Sequence, residues 1–110
     1  MQVACSRTVS RLGVDEKLQV ELWTSWASML RVYAAAHGLA SIHHAVVEVG
    51  SDEIVLRVDQ RWTRFSRDEM RTSEGVALPF CMEEDGRIRI GDVEDEMDMA
   101  AERVAREMFR

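Results

Sequence analysis

Apolar and polar residues alternate along residues 53–65, and this stretch organises the prediction for the rest of the chain. The apolar positions are Ile54, Leu56, Val58 and Trp62, and the positions between them are mostly charged or polar. A period of two sends successive side chains to opposite faces, which indicates one half-buried β-strand. The short β-branched run before it, residues 44–49, predicts a second strand, and Gly50-Ser51-Asp52 supplies turn residues between the two. The pattern therefore predicts a β-hairpin over residues 42–65.

The segment before the hairpin has helical spacing and predicts a long helix. Asp15 is a favourable N-cap, no Gly or Pro follows until Gly38, and the helix is expected from about Glu16 to His37. Its apolar residues form two rows, more than one amphipathic stripe needs. The excess predicts self-association, most simply with a second copy of the chain, through the following residues: Trp23, Trp26, Ala27 and Leu30. The alternative is that both rows lie in the core of a monomer.

The second half of the chain predicts two more strands and a second helix. Residues 66–75 form a polar connection, residues 76–82 alternate as a third strand, and residues 87–90 alternate as a fourth. Asp92 is then expected to cap a helix whose first turn carries Glu94, Asp95 and Glu96, and whose apolar residues recur at helical spacing up to Met108.

The predicted fold is α+β, in the order α-β-β-β-β-α. A four-stranded antiparallel meander forms one layer, and the two helices cover one of its faces, since each has an apolar stripe to bury. A chain of 110 residues is expected to form one domain over residues 1–110. Residues 1–13 are expected to form either an edge strand or a disordered arm.

Composition and charge narrow the function classes. The net charge is −6, and all of it falls in residues 72–110, which carry eleven acidic and five basic residues. An acidic segment repels phosphates and argues against general nucleic-acid binding. Neither a signal peptide nor an apolar membrane span is present in the sequence, and two cysteines are too few for a disulfide framework, so a cytoplasmic location is expected.

Three candidate sites follow from the residues. An apolar pocket between sheet and helices would be lined by Tyr33, Trp62, Phe80 and Met82, with His44 at its mouth. Three arginines, Arg57, Arg61 and Arg64, are candidates for docking an anionic partner, and with the aromatic residues of 57–71 for weak binding of single-stranded nucleic acid. The competing interpretation of these arginines is a solvated sheet face paired with acids such as Glu48. Histidines 37, 43 and 44 lack metal-ligand spacing, so neither a metal nor a cofactor is expected.

These observations favour a small, acidic, non-enzymatic binding domain that forms homodimers and recognises a protein or peptide. The alternative is a small-molecule-binding protein or enzyme that uses the pocket, with His43 or His44 as a general acid or base. No catalytic residues are assigned, because phosphate-binding, nucleophile-elbow and zinc-protease motifs are absent from the sequence.

Overall fold

The computed structural model describes residues 14–110 of the chain. The expectation for residues 1–13 lies outside that range. In chain order the elements are α1 (Val14–Gly38), β1 (Ala45–Val49), β2 (Ile54–Val58), β3 (Arg61–Phe65), β4 (Glu69–Thr72), β5 (Ala77–Met82), β6 (Arg87–Ile90), β7 (Val93–Glu96) and α2 (Met97–Met108).

The strands form one antiparallel meander in the order β1-β2-β3-β4-β5-β6-β7. The predicted class, α+β with an antiparallel sheet and two flanking helices, is confirmed. The predicted count of four strands is wrong, because residues 14–110 alone form seven. The three additional strands arise at three local features of the sequence.

The first is a turn at Asp59-Gln60, which divides the predicted strand over 53–65 into β2 and β3. Asp59 takes a left-handed backbone conformation with φ 56°, which Asp tolerates better than most residues. Val58 and Arg61 are then directly opposed. A two-residue turn reverses the parity of the strand that follows, so Phe65 lies on the same face as Ile54. Trp62 consequently lies on the other face, contrary to the alternation on which the prediction rested.

The second is β4, which forms within the stretch predicted as a polar connection. It pairs with both β3 and β5, and Met70, its one apolar residue, is buried. A four-residue strand with a single inward side chain has too little periodicity to be recognised from sequence.

The third is β7, which occupies the residues predicted as the first turn of the second helix. Gly91, with φ 62°, and Asp92 form a two-residue turn that brings Val93 opposite Ile90. The helix begins only at Met97. Asp92 is therefore not its cap, and the N-cap position is held by Glu96 without a side-chain hydrogen bond. Similarly, α1 begins at Val14, so Asp15 lies within the helix rather than before it.

Both helices pack on one face of the sheet, called the inner face below. Its buried residues, together with those of the helices, form one core, and the largest fully buried side chains are Trp26, Phe65, Phe80, Leu30, Ile54, Leu56, Met82 and Ile88. Trp26 of α1 lies edge-on to Phe65 at a centroid distance of 5.2 Å and contacts Phe80 at 5.7 Å. The C-terminal end of α1 also contacts the middle of α2, where His37 Nε2 lies 3.1 Å from Oε2 of Glu102.

Candidate functional site

A half-open groove lies between α2 and the inner face of the sheet. Its volume is about 360 Å³. The lining residues come from β3 to β7, their turns and α2: Arg61, Trp62, Thr63, Met70, Thr72, Ser73, Glu74, Val76, Leu78, Ile90, Val93, Arg103, Val104, Glu107 and Met108.

The groove lies beside α2, between the strands that α2 contacts. α1 contacts β1 and α2, and α2 contacts β3, β6 and β7. Met70 of β4 and Leu78 of β5 lie between those contacts and line the groove. Part of the inner face beside α2 is therefore left uncovered.

The walls of the groove are apolar, and several of their residues remain in contact with solvent. Met70, Ile90 and Val104 are buried, whereas Leu78 is 36% exposed and Val93 is 48% exposed. Exposed apolar side chains that border a concavity are typical of a surface that a ligand or partner covers.

The polar groups on the floor of the groove are satisfied by the chain itself. Thr63 is 3% exposed, and its hydroxyl donates to the sulfur of Met108 at 3.0 Å. The Thr72 hydroxyl oxygen accepts the backbone N–H groups of Glu74 and Val76, both at 3.2 Å. A thioether is a weak acceptor, so the hydrogen bond of the Thr63 hydroxyl is weaker than those of the Thr72 hydroxyl.

The charged groups of the groove are also paired. Arg61 Nε lies 3.2 Å from Glu74, and the Arg61 guanidinium donates to the carbonyl of Met108 at 3.0 Å. Arg103 contacts the carboxylate of Asp95. None of these cations is left to select an anionic ligand, so the groove favours an apolar occupant.

The predicted pocket residues are not brought together. Phe80 and Met82 are core residues, 2% and 1% exposed, and Tyr33 packs at the margin of the core. His44 is exposed. Of the five, only Trp62 borders the groove, although it belongs to the outer-face positions of β3. Leu78 has an apolar position that sequence periodicity does identify, but what leaves it open is the path of α2, which periodicity does not report.

The four residues predicted to mediate self-association lie in the core of the single chain. Trp23 is 4% exposed, Ala27 is 2% exposed, and Trp26 and Leu30 are fully buried. The two apolar rows on α1 therefore have an explanation within the monomer. A homodimer stays a prediction, and it needs a different surface.

The three predicted docking arginines do not form a common cationic surface. Arg57 and Arg64 lie on the outer face, whereas Arg61 lies on the inner face, since it is opposite Val58 across the Asp59 turn. Arg57 pairs with Glu48 at 3.2 Å, the cross-strand pairing that the competing interpretation anticipated.

Arg64 lies over the ring of Trp62, at 4.9 Å from its centroid, and 3.6 Å from Glu53. Further along the same face, a hydrogen bond to Glu94 raises the pKa of Arg87. The arginines of this face thus alternate with carboxylates that neutralise them.

His43 contacts the carboxylate of Asp59 through Nδ1, at the margin of a second open depression of about 700 Å³ lined also by Gln60, Phe109 and Arg110. This contact ties the α1–β1 connection to the β2–β3 turn. Among residues 14–110 no group of three or more histidine, cysteine or acidic side chains is placed to hold a metal ion. Cys81 is not a free thiol.

No helix in the described part of the chain is long and apolar enough to cross a membrane. No protein-family model, curated protein or solved structure matches the chain. Its function is therefore argued from the groove itself.

Proposed function

We propose that the protein is a small, non-enzymatic binding domain that accepts apolar side chains of a peptide or protein partner in the groove beside α2. The observation that carries this proposal is the combination of an open apolar trough with charged groups that are already paired. Such a surface gains free energy from apolar burial, and the Glu74 carboxylate and the Thr63 and Thr72 hydroxyls in its lining already have partners within the chain.

The shape of the groove favours a chain segment over a compact ligand. The groove is half open to solvent, and its lining comes from β3 to β7, their turns and α2. Amphipathic segments bind grooves of this kind by placing alternate or helically spaced apolar side chains into them.

The charge of the domain indicates what should flank those side chains. The protein carries a net charge of −6, and all of it falls in residues 72–110, which include β5 to β7 and α2 beside the groove. A partner segment with basic residues on either side of its apolar anchors is attracted by this field.

A selected peptide tests the proposal. Peptides displayed on phage are selected against the wild-type protein, and the affinity of the best binder is then measured by fluorescence anisotropy for two variants. Val76→Asp places a carboxylate at the groove, whereas Val32→Asp makes the same change on α1, outside the groove, at a comparably exposed valine.

Val76→Asp is expected to weaken binding about tenfold or more, because an unpaired carboxylate would be desolvated against apolar side chains. Val32→Asp is expected to leave the affinity unchanged, and circular dichroism checks that both variants are folded. Equal effects of the two substitutions would contradict the proposal, as would a selection that yields no binder.

A second candidate is a neutral small molecule, for which the buried hydroxyl of Thr63 is the specific observation. The volume of the groove is within the range of ligand pockets. A carbonyl oxygen is a better acceptor than the sulfur of Met108. Thr63→Val should then reduce affinity for a ketone-bearing hydrophobic dye and leave the affinity for its hydrocarbon analogue unaltered.

The sequence also predicted a homodimer, a cytoplasmic location and weak binding of single-stranded nucleic acid. A homodimer and a cytoplasmic location are kept as parts of the proposal. Binding of single-stranded nucleic acid is not proposed, because Arg57, Arg61 and Arg64 are ion-paired and divided between two faces.

A further inference from the structure

The two edge strands of the sheet, β1 and β7, differ in how open they are to further pairing. β7 carries three consecutive acids, Glu94, Asp95 and Glu96, which oppose pairing with a like strand. β1 has the sequence Ala-Val-Val-Glu-Val, with no proline or lysine and one acid, Glu48. Its register with β2 is continuous, so it has no bulge either. β1 therefore lacks the usual devices that prevent edge-to-edge pairing.

The hydrogen bonds at the two ends of β1 show which backbone groups are available. His44 accepts from the N–H of Asp59 at 3.3 Å, and the N–H of Gly50 donates to Glu53 at 2.8 Å. In an antiparallel pair, every second residue of a strand exchanges backbone hydrogen bonds with the same neighbouring strand. Since His44 and Gly50 both bond to the β2 side, the even-numbered residues of β1 are the ones that bond to β2. The N–H and C=O groups of Ala45, Val47 and Val49 point to the opposite side. No strand among the described residues pairs with them there.

The side chains at this edge are apolar and accessible. Val46 is 51% exposed on the outer face, and Val49 is 43% exposed on the inner face. Val47 is partly buried against the core, so a strand added beside it would extend the dry side of the sheet.

We infer that β1 pairs with β1 of a second copy of the chain, antiparallel, about a two-fold axis at Val47. The pairing opposes Val47 to the partner's Val47 and Ala45 to the partner's Val49. These are the residues whose backbone groups point outward, and the arrangement forms about six hydrogen bonds. An isologous pairing of this kind closes on itself as a dimer.

The charges of β1 favour a second copy as the occupant of this edge. On the outer face Val46 is opposite the partner's Glu48, so the one charge of the strand never meets a like charge. Arg57 of β2 lies opposite Val46, on the side of Val46 away from the partner. It already binds Glu48 of its own chain at 3.2 Å. The partner's Glu48 would lie two strand spacings, about 10 Å, from Arg57, so the two charges attract each other only weakly.

Two substitutions at one exposed position test the inference by sedimentation velocity over a dilution series. Val46→Glu opposes a carboxylate to the partner's Glu48 at two symmetric places, and it should raise the dimer dissociation constant about tenfold. Val46→Lys opposes an ammonium group to the same carboxylate, so it should leave the dissociation constant unchanged or lower it. The contrast matters because both side chains are charged and only their sign differs.

A wild-type protein that is monomeric throughout the micromolar range would overturn the inference. So would a dimer that the two substitutions affect equally, since such an interface would lie elsewhere. Val76→Asp, at the groove, should leave the dissociation constant unaltered, so that the test does not depend on whether the groove binds a partner.

Discussion

Replacing Trp26 by alanine is expected to lower the free energy of unfolding by about 3–4 kcal/mol at any protein concentration. Trp26 is fully buried between the sheet and α1, in contact with Phe65 and Phe80. If Trp26 instead belonged to a dimer interface, as the apolar excess of α1 predicted, the loss would depend on protein concentration.

Two opposing contributions set this magnitude. A buried tryptophan removes about 200 Å² from water, which at about 25 cal/mol per Å² is worth about 5 kcal/mol. Against this, Trp26 Nε1 has no hydrogen-bond partner among the described residues. Removing a buried unsatisfied donor recovers about 1–2 kcal/mol. The difference is the loss stated above.

Phenylalanine substitutions at Trp26 and Trp23 separate the ring from the indole N–H. At Trp26 the lost volume destabilises by about 1 kcal/mol, and removal of the unsatisfied N–H stabilises by a similar amount, so Trp26→Phe should be nearly neutral. At Trp23 the indole donates to the carbonyl of Gly50 at 2.9 Å, and its ring lies under Arg67 at 4.5 Å. Trp23→Phe should therefore be the more destabilising of the two, by about 1–2 kcal/mol.

Urea unfolding followed by far-ultraviolet circular dichroism measures these differences without relying on tryptophan fluorescence. Each variant is unfolded at two protein concentrations that differ widely. The reasoning is refuted if the midpoint of Trp26→Ala shifts with concentration while that of the wild type does not. It is also refuted if Trp26→Phe is as destabilising as Trp23→Phe.

Substitutions at three further positions test the strands that the sequence did not predict. Met70→Ala should destabilise by about 2 kcal/mol or more in a urea titration, because Met70 anchors β4; a change below about 0.5 kcal/mol would mean that residues 66–75 are a loop. Gly91→Ala should lower the thermal midpoint, because Gly91 has a φ of 62° that alanine adopts only with strain. Gly91→Asn should lower it less, since asparagine tolerates this conformation better. Equal losses would argue against a left-handed residue in the β6–β7 turn. Asp59→Ala should destabilise the protein more than Asp59→Gly in the same melts. Both variants lose the contact with His43, but only alanine is strained at φ 56°. The reverse order of stability would refute this.

The parts of the fold that the sequence predicts are those where one periodicity extends over many residues. The helix ending at Gly38 spans 25 residues, and the apolar stripe of α2 is buried as expected, with Val104 and Met108 facing the core. The hairpin of β1 and β2 follows from alternation on both sides of Gly50. In each case burial of a continuous apolar face outweighs local preferences.

The parts that the sequence does not predict depend on single residues. One left-handed residue, Asp59, reverses which face the residues of β3 occupy, so Trp62 and Phe65 exchange their expected places. A run of acids such as residues 94–96 is typical of a helix N-terminus. Here the run forms a strand instead, which is stabilised by ion pairs with the arginines of β6. Glu94 binds Arg87 at 2.8 Å and Arg89 at 3.0 Å.

The candidate site is less predictable than the fold. The residues of the groove are apolar positions of β4, β5, β7 and α2, and nothing in their own spacing distinguishes them from core residues such as Phe80. Their partial exposure results from the path of α2, which contacts β3, β6 and β7 more closely than β4 and β5. A sequence interpretation that counts four strands cannot anticipate it, because neither β4 nor β7 belongs to the sheet that it predicts.

The central claim, that the groove beside α2 is the binding surface, is tested most directly by nuclear magnetic resonance. The selected peptide is titrated into ¹⁵N-labelled protein, and changes in amide chemical shift are mapped onto the chain. The account predicts that the largest changes fall on groove residues, including Met70, Leu78 and Val104. Changes concentrated on β1 or on the outer face around Arg57, with the groove amides unmoved, would contradict it.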